Sequence, residues 1–398
     1  MTILSVVIPA YNEENGIAEI ACRVLSVESD LKKAGVDQLE LLIVDDGSKD
    51  HTAEVASNIH GVRLIRHPHN KGYGAALKTG FSQAKGELIG FLDADGTYPP
   101  EYFPHLCRAA LNGMDLVIGS RMAGEQSKMP LTRRVGNFFF ANLLTLLSHQ
   151  KVTDSASGMR VFKREILEQI YHLPDGLNLT PVMSTRALHE GVKLGEIPIP
   201  YSERVGRSKL SVIRDGRIFL QSMVWTVLSY NPVRILGLIG SIGIGIAGLV
   251  FLALLIARLR GITTLGPWGV VALFLALISS VAGINIFALG VTFNYLVSLF
   301  YKKTIRQGLF GKPVFKTPLD LQFGWMGILS IFIGLGIGAV SLALGVQGWE
   351  IERLWFYLLS GAMLFLAGIQ LFTYWLLLRI LEELSRRETL KKQDMGLS

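Results

Sequence analysis

Glu87-Leu88-Ile89-Gly90-Phe91-Leu92-Asp93-Ala94-Asp95-Gly96 is a short apolar run that stops on two acids and a glycine. Such a run suits a strand buried on both faces, and the acids and glycine beyond it suit a turn. The same punctuation occurs twice upstream. Leu4–Ile8 leads into Pro9-Ala10-Tyr11-Asn12-Glu13, and Leu39–Val44 leads into Asp45-Asp46-Gly47-Ser48. Val62–Ile65 and Leu116–Ile118 complete the strand-like runs, and helix-like stretches fall between them at Asn15–Lys33, Thr52–Asn58, Tyr73–Ala84 and Glu101–Leu111. Alternation at this spacing predicts an α/β domain, a mostly parallel sheet with helices on both faces. Ligands of such sheets bind beyond the carboxyl ends of the strands, which is where these acids collect.

Asp93 and Asp95, separated by one small residue, are close enough to share a divalent cation. Mg²⁺ or Mn²⁺ takes one or two carboxylates and completes its shell with water and phosphate oxygens, so it can neutralise a diphosphate leaving group. A pair of turn-capping acids is the plainer use of the same residues. Two other motifs fail on inspection. Gly72-Tyr73-Gly74, with Asp93 about 20 residues on, imitates a dinucleotide fingerprint, but Leu77 stands where the third glycine belongs. Asp93-x-Asp95-Gly96 imitates a calcium loop, but its glycine comes early and Pro104 replaces the bidentate Glu.

The chain of 398 residues is 50% hydrophobic and 18% charged, which excludes disorder and an ordinary soluble composition. Its two cysteines make neither a disulfide framework nor a zinc site. The net charge of +7 is unevenly placed: residues 1–232 balance 25 basic against 25 acidic side chains, whereas residues 233–398 hold 14 against 7. A neutral front and a basic, apolar back exclude a nucleic-acid binder and indicate a membrane partner. Val233–Leu259, Trp268–Phe300, Gly324–Val346 and Leu354–Leu378 are each long enough to cross a bilayer, which takes about 20 apolar residues. Lys302, Lys303, Arg306, Lys312 and Lys316 lie between the second and third runs, and Arg386, Arg387, Lys391 and Lys392 follow the fourth. The positive-inside bias then predicts a multi-pass membrane protein with a cytoplasmic N-terminal domain (1–232), a four-helix transmembrane domain (233–380) and a basic cytoplasmic tail (381–398). Small residues at helical spacing (Gly237, Ser241 and Gly245; Gly334 and Gly338) suit close packing of the spans. Ile3–Ala10 is too short, and lacks the basic leader, to be a cleavable signal.

Taken together, Val6–Glu14, Val44-Asp45-Asp46-Gly47-Ser48-x-Asp50, Asn70-Lys71-Gly72 and Asp93-Ala94-Asp95 resemble the inverting glycosyltransferases of family 2, which have the Rossmann-like GT-A fold. Gly119-Ser120-Arg121, Asp154-x-x-Ser157-Gly158-Met159-Arg160-Val161-Phe162, Glu196–Ile199 and Arg204–Leu210 are similar to the dolichol-phosphate mannose synthases and polyprenyl-phosphate glucosyltransferases within it. The resemblance implies that Pro9, Tyr11, Glu13, Val44 and Asp46 hold the base and ribose of a sugar nucleotide. It implies that Asp93, Ala94 and Asp95 bind diphosphate and metal, with Thr97, where the dolichol-type pattern often has Gln, as a further metal candidate. Arg121 would face the reacting phosphate, and Arg204 and Lys209 would neutralise the donor diphosphate from a loop one residue shorter than in the eukaryotic mannose synthases. Carboxylates suit ribose hydroxyls, and Arg and Lys suit phosphate oxygens.

Leu131–Ser148 and Ile213–Ser229 read as amphipathic helices, and basic residues set against aromatics favour the plane of a membrane interface. Phe138-Phe139-Phe140 stands where the family has a small polar run. The acceptor implied is a polyprenyl (dolichyl or undecaprenyl) phosphate, already an anion at neutral pH, which needs charge and alignment rather than a base. Arg121 with Arg133 or Arg134 would supply that charge, Asp95 and Arg121 would be catalytic, and the product would be a β-linked lipid-phosphate hexose from a donor of GDP-mannose or UDP-glucose type. A processive polysaccharide synthase would need a base motif, and Asn178-Leu179-Thr180 offers none. A non-catalytic lipid-binding or flipping protein would not need an intact Asp-x-Asp. Self-association as a homo-oligomer is left open.

Overall fold

The computed structural model describes residues 1–122, 129, 131–148, 151–202, 212–262, 264–301 and 321–394. They fall into two compact units, residues 1–227 and 228–398. The first opens with β1 (Ile3–Ala10), α1 (Ile17–Ser26), α2 (Glu28–Lys33), β2 (Gln38–Asp45), α3 (Thr52–Ser57), β3 (Val62–Arg66), α4 (Tyr73–Gln83) and β4 (Leu88–Phe91). A 3₁₀ turn at Pro100–Tyr102 precedes α5 (Phe103–Leu111) and β5 (Leu116–Ser120). Then come α6 (Leu131–Ser148), β6 (Arg160–Lys163), α7 (Ile166–Ile170), α8 (Leu179–Glu190), β7 (Leu194–Pro198) and α9 (Val212–Tyr230).

The seven strands form one sheet in the order β3-β2-β1-β4-β6-β5-β7. Every pairing is parallel except those of β6, which runs antiparallel between β4 and β5. Alternation along the strands divides the apolar residues between two layers. Leu4, Val6, Ile8, Leu41 and Ile43 face one core with α1, α2 and α5. Val7, Leu42 and Val44 face the other, with α4, α7 and α8. The five strand-like runs of the sequence are all strands. β6 and β7 add to them: β6 carries Arg160 and Lys163 at its ends, so its four residues present no apolar run. The stretch Asn15–Lys33 is two helices, because Val27, at ψ 2°, ends α1 and caps α2.

The second unit holds α10 (Pro232–Leu259), α11 (Pro267–Tyr301), α12 (Phe323–Val346) and α13 (Ile351–Asp394). Each contains a stretch long and apolar enough to cross a membrane. α13 continues as helix to Asp394, through much of the segment expected as a tail. α10 packs on α11 through Gly240, Gly243 and Gly283, where an added Cβ would stand 2.6–3.0 Å from backbone of the other helix. α12 packs on α13 in the same manner at Gly327 and Gly334. Of the small residues singled out by spacing, Gly334 lies in such a contact, whereas a Cβ at Gly245 or Gly338 would meet nothing. The Tyr374 hydroxyl donates to Asn285 Oδ1, which satisfies a polar group inside a span.

Candidate active site

The carboxyl ends of β1 and β2 are stitched together by their loops. Asn12 takes a left-handed conformation (φ 52°). Its amide donates to Ser48 Oγ at 2.9 Å, and its Oδ1 accepts the Lys49 amide at 2.8 Å. The Glu13 amide donates to Thr52 Oγ1 at 2.8 Å. Asp46 is buried (3% exposed) and held by three hydrogen-bond partners. His67 Nδ1 lies 2.7 Å from Oδ1, the Lys71 amide donates to Oδ1 at 2.9 Å, and the Gly72 amide donates to Oδ2 at 2.8 Å. These contacts hold the carboxylate in place and fix the turn that feeds α4.

Asp93 and Asp95 stand just beyond β4. The Tyr73 hydroxyl donates to Asp93 Oδ1 at 2.8 Å. Burial, and then the charge of Asp93, pushes the Tyr73 phenol well above its ordinary range, so it remains a donor. Gly158 also stands against Asp93: a Cβ there would lie 2.5 Å from Oδ2. Thr97 Oγ1 donates to Asp95 Oδ1 at 2.6 Å, and its amide donates to the same oxygen at 3.2 Å.

Beyond β5, Arg121 grips Asp154 with a two-pronged pair, Nε to Oδ2 at 2.7 Å and Nη2 to Oδ1 at 2.8 Å. Its guanidinium lies 5.8 Å from the Tyr98 ring and 5.6 Å from the Tyr201 ring. Burial opposes the Asp154 charge, but Arg121 and its hydrogen bonds prevail and hold the carboxyl below its ordinary range. Arg160 is fully buried and, among the described residues, donates only to neutral oxygens: Ser157 O, Ser184 Oγ and Ser155 O, at 2.8–3.1 Å. Burial pushes its guanidinium down to about 10, against the pull of Asp154.

These groups surround a cavity of about 520 Å³. Pro9, Tyr11, Glu13, Asp46, Asp93, Ala94, Asp95 and Arg121, all anticipated from the sequence, line it. Three anticipated residues are placed elsewhere. Val44 points into the core beneath the sheet, because strand alternation turns it away from the edge. Thr97 is buried behind Asp95 and spends its hydroxyl there. Arg134 is exposed on α6 and is not part of the lining. Arg204, Lys209 and the Arg133 side chain lie outside what the structure describes. The structure adds Tyr73, Tyr98 and Tyr201 to the walls, and α6 and α9 close the far side with Asn137, Phe140, Asp215 and Phe219. Asp154, within a quoted motif, is the partner that composition could not assign to Arg121.

Among the described residues no group of three or more His, Cys, Asp or Glu converges as a closed metal cage. The donor set nevertheless fits Mg²⁺ or Mn²⁺, which needs only one or two carboxylates on an open cavity beside room for phosphate oxygens. Asp93 and Asp95 meet that requirement.

A family model described as glycosyl transferase family 2 matches residues 5–171. A second, described as a domain of unknown function (DUF8752), matches residues 232–392. Dolichyl-phosphate hexose transferase of Haloferax volcanii is 34% identical over 221 residues, covering 56% of this chain and 92% of the relative. Undecaprenyl-phosphate 4-deoxy-4-formamido-L-arabinose transferase of Edwardsiella ictaluri is 31% identical over 284 residues, covering 69% and 82%. Among solved structures, glucosyl-3-phosphoglycerate synthase from Mycobacterium tuberculosis, in complex with Mn²⁺, UDP-glucose and phosphoglyceric acid, is 21% identical. The likeness covers 57% of this chain and 80% of that one, with a TM-score of 0.46. With its mixed GT-A-type sheet and its acids gathered at the strand ends, followed along the chain by four apolar helices, the chain belongs to glycosyl transferase family 2 and is a membrane glycosyltransferase.

Proposed function

We propose that this enzyme transfers a hexose from a nucleotide sugar, of GDP-mannose or UDP-glucose type, to a polyprenyl or dolichyl phosphate at the cytoplasmic face of a membrane. The observation that carries the reading is the cavity itself: its floor is the acidic strand edge, and its far wall is built from α6 and α9. Those two helices expose Phe138 (64%), Phe139 (54%) and Trp225 (64%), which suits a lipid interface. The names of the two curated relatives, both transferases of sugars to polyprenyl-type phosphates, support the same acceptor class. The basic segments after α11 and at the end of α13 support a cytoplasmic placement of residues 1–232 and of the C-terminus, with residues 233–380 spanning the membrane.

In this reading the β1 and β2 loops bind the nucleoside, with Asp46 fixing the turn against it. Asp93 and Asp95 would hold Mg²⁺ or Mn²⁺, whose charge when bound offsets that of the diphosphate. Arg121 is immobilised by Asp154, and its Nη1 makes no hydrogen bond among the described residues. It therefore retains donors for the acceptor phosphate, and Arg133 or Arg134 at the head of α6 would add positive charge, Arg134 from outside the lining. Arg204 and Lys209 would neutralise the donor. A phosphate oxygen forms the bond to the anomeric carbon while the bond to the diphosphate breaks, and the electron pair departs with the nucleoside diphosphate. Attack from the opposite face inverts the anomer. The acceptor is already deprotonated, so no protein base is required.

The test is a panel of sugar nucleotides offered to membranes containing the enzyme and polyprenyl phosphate, with Mg²⁺ or Mn²⁺, and the lipid product read by mass. One donor should yield a polyprenyl-phosphate hexose. Incorporation into a long polymer without a lipid-phosphate product would reject the reading.

A further inference from the structure

Gly72-Tyr73-Gly74, which fails as a dinucleotide fingerprint, has a different occupation in the fold. The Lys71 and Gly72 amides bind the two oxygens of Asp46, and the next residue sends its phenol to Asp93. Three consecutive residues thus brace the acid at the end of β2 to the acid at the end of β4. The glycines on either side are dictated by the brace's rear support. The Gly74 and Ala75 amides donate to the Asp175 carbonyl at 2.7 and 3.1 Å. A Cβ at Gly72, whose φ is 106°, would stand 2.6 Å from that same oxygen. The segment can approach Asp175 this closely only without side chains at 72 and 74, and that approach places Tyr73 at the N-terminus of α4, facing Asp93.

We infer that Tyr73 is a positioning residue for Asp93, fixing the rotation of that carboxylate for the divalent cation and donor diphosphate. The inference rests on the metal reading of Asp93 and Asp95 given above. The carboxylate accepts from the phenol and lies against Gly158, where a side chain would collide with both of its oxygens. Groups that hydrogen-bond a metal ligand orient it, and their loss typically weakens metal binding or activity about ten- to a hundredfold. Tyr73 touches neither the sugar nor the acceptor in this role; it acts through Asp93.

The experiment uses the full chain in detergent or nanodiscs and reads metal binding directly, from the electron paramagnetic resonance of free Mn²⁺ titrated with enzyme and whichever of UDP or GDP binds. Tyr73→Phe keeps the ring and removes only the hydroxyl. It should weaken Mn²⁺ binding by about ten- to a hundredfold, while metal-free nucleoside diphosphate affinity stays unchanged, because the amides that hold Asp46 are intact. Gly158→Ala intrudes directly on the Asp93 carboxylate and should give the same signature. Wild-type Mn²⁺ affinity in Tyr73→Phe would overturn the inference, whatever happens to turnover. A loss of metal-free nucleotide binding equal to the loss of Mn²⁺ binding would also overturn it, since that marks general collapse of the cavity. If the wild-type enzyme itself takes up no Mn²⁺, the metal reading fails before any variant is compared, and the inference falls with it.

Discussion

Arg121 and Asp154 form a two-pronged ion pair, 2.7 and 2.8 Å, in which the carboxylate is fully buried and the guanidinium side chain is 12% exposed. The pair joins the end of β5 to the loop before β6, the strand that runs antiparallel to both of its neighbours. Arg160, buried nearby without a carboxylate of its own, also feels the charge of Asp154. One acid therefore serves two guanidiniums.

Removing that acid's charge should be costly. Asp154→Asn keeps the shape but leaves two buried cations uncompensated, and breaking a buried pair by altering one partner costs about 3–5 kcal/mol. Thermal or denaturant unfolding of the full chain in detergent would measure it. The pH dependence has a defined sign. The folded carboxyl titrates below its unfolded value of about 3.9, so its contribution is fully present above that pH and is lost as the pH falls through the lower folded value. The wild-type protein should lose this stability only on acidification, and Asp154→Asn should flatten the acid limb.

The same geometry sets an expectation for catalysis. Arg121→Lys keeps a cation beside Asp154 but loses the planar fork that serves carboxylate and phosphate together. Transfer to lipid phosphate should fall about ten- to a hundredfold, the worth of one charge-assisted hydrogen bond, while donor nucleotide affinity is little changed. Equal loss of both, in equilibrium binding and turnover assays, would mean that Arg121 serves the donor or the fold instead.

How much of this was legible in the sequence follows from what each residue shows its neighbours. β1, β2 and β4 are continuous apolar runs ending in polar turns, so both the strands and their ligand edge could be read directly. β6 could not, because four residues bounded by Arg160 and Lys163 look like surface, although Arg160 is fully buried. Asp93 and Asp95 declared themselves by spacing. Tyr73 did not, because its meaning lies in a hydrogen bond across 20 residues that a Gly-x-Gly pattern disguises. Thr97 became a metal candidate by its place in the family pattern, where Gln is common, and only the fold shows that its hydroxyl donates to Asp95.

Asp95→Asn tests the metal site with the least disturbance. The amide can still accept from Thr97 through its oxygen, so the turn at 95–97 should survive and unfolding should change little. A carboxamide is a poor ligand for Mg²⁺ or Mn²⁺, and losing electrostatic stabilisation of a departing diphosphate costs at least about a hundredfold in rate. Near-normal transfer by the variant across a titration of either metal would remove Asp95 from the metal site.

The exposed apolar side of α6 bears on how a lipid acceptor reaches the cavity. Phe138 and Phe139 are 64% and 54% exposed, whereas Asn137 and Phe140 of the same helix line the cavity. One helix therefore presents one face to the substrate space and another outward. If the outward face sits in a membrane interface, a charge there must be dragged against the hydrocarbon boundary. Phe138→Asp with Phe139→Asp should then raise the KM for polyprenyl phosphate in bilayers about tenfold or more, since each buried aromatic is worth roughly 1.5–3 kcal/mol. The donor KM should stay constant, because neither ring lines the cavity. The effect should shrink when the acceptor is a short, water-soluble prenyl phosphate, which does not need the interface. A KM shift of the same size for both acceptors would place these rings in the folded core of the site rather than at a lipid surface.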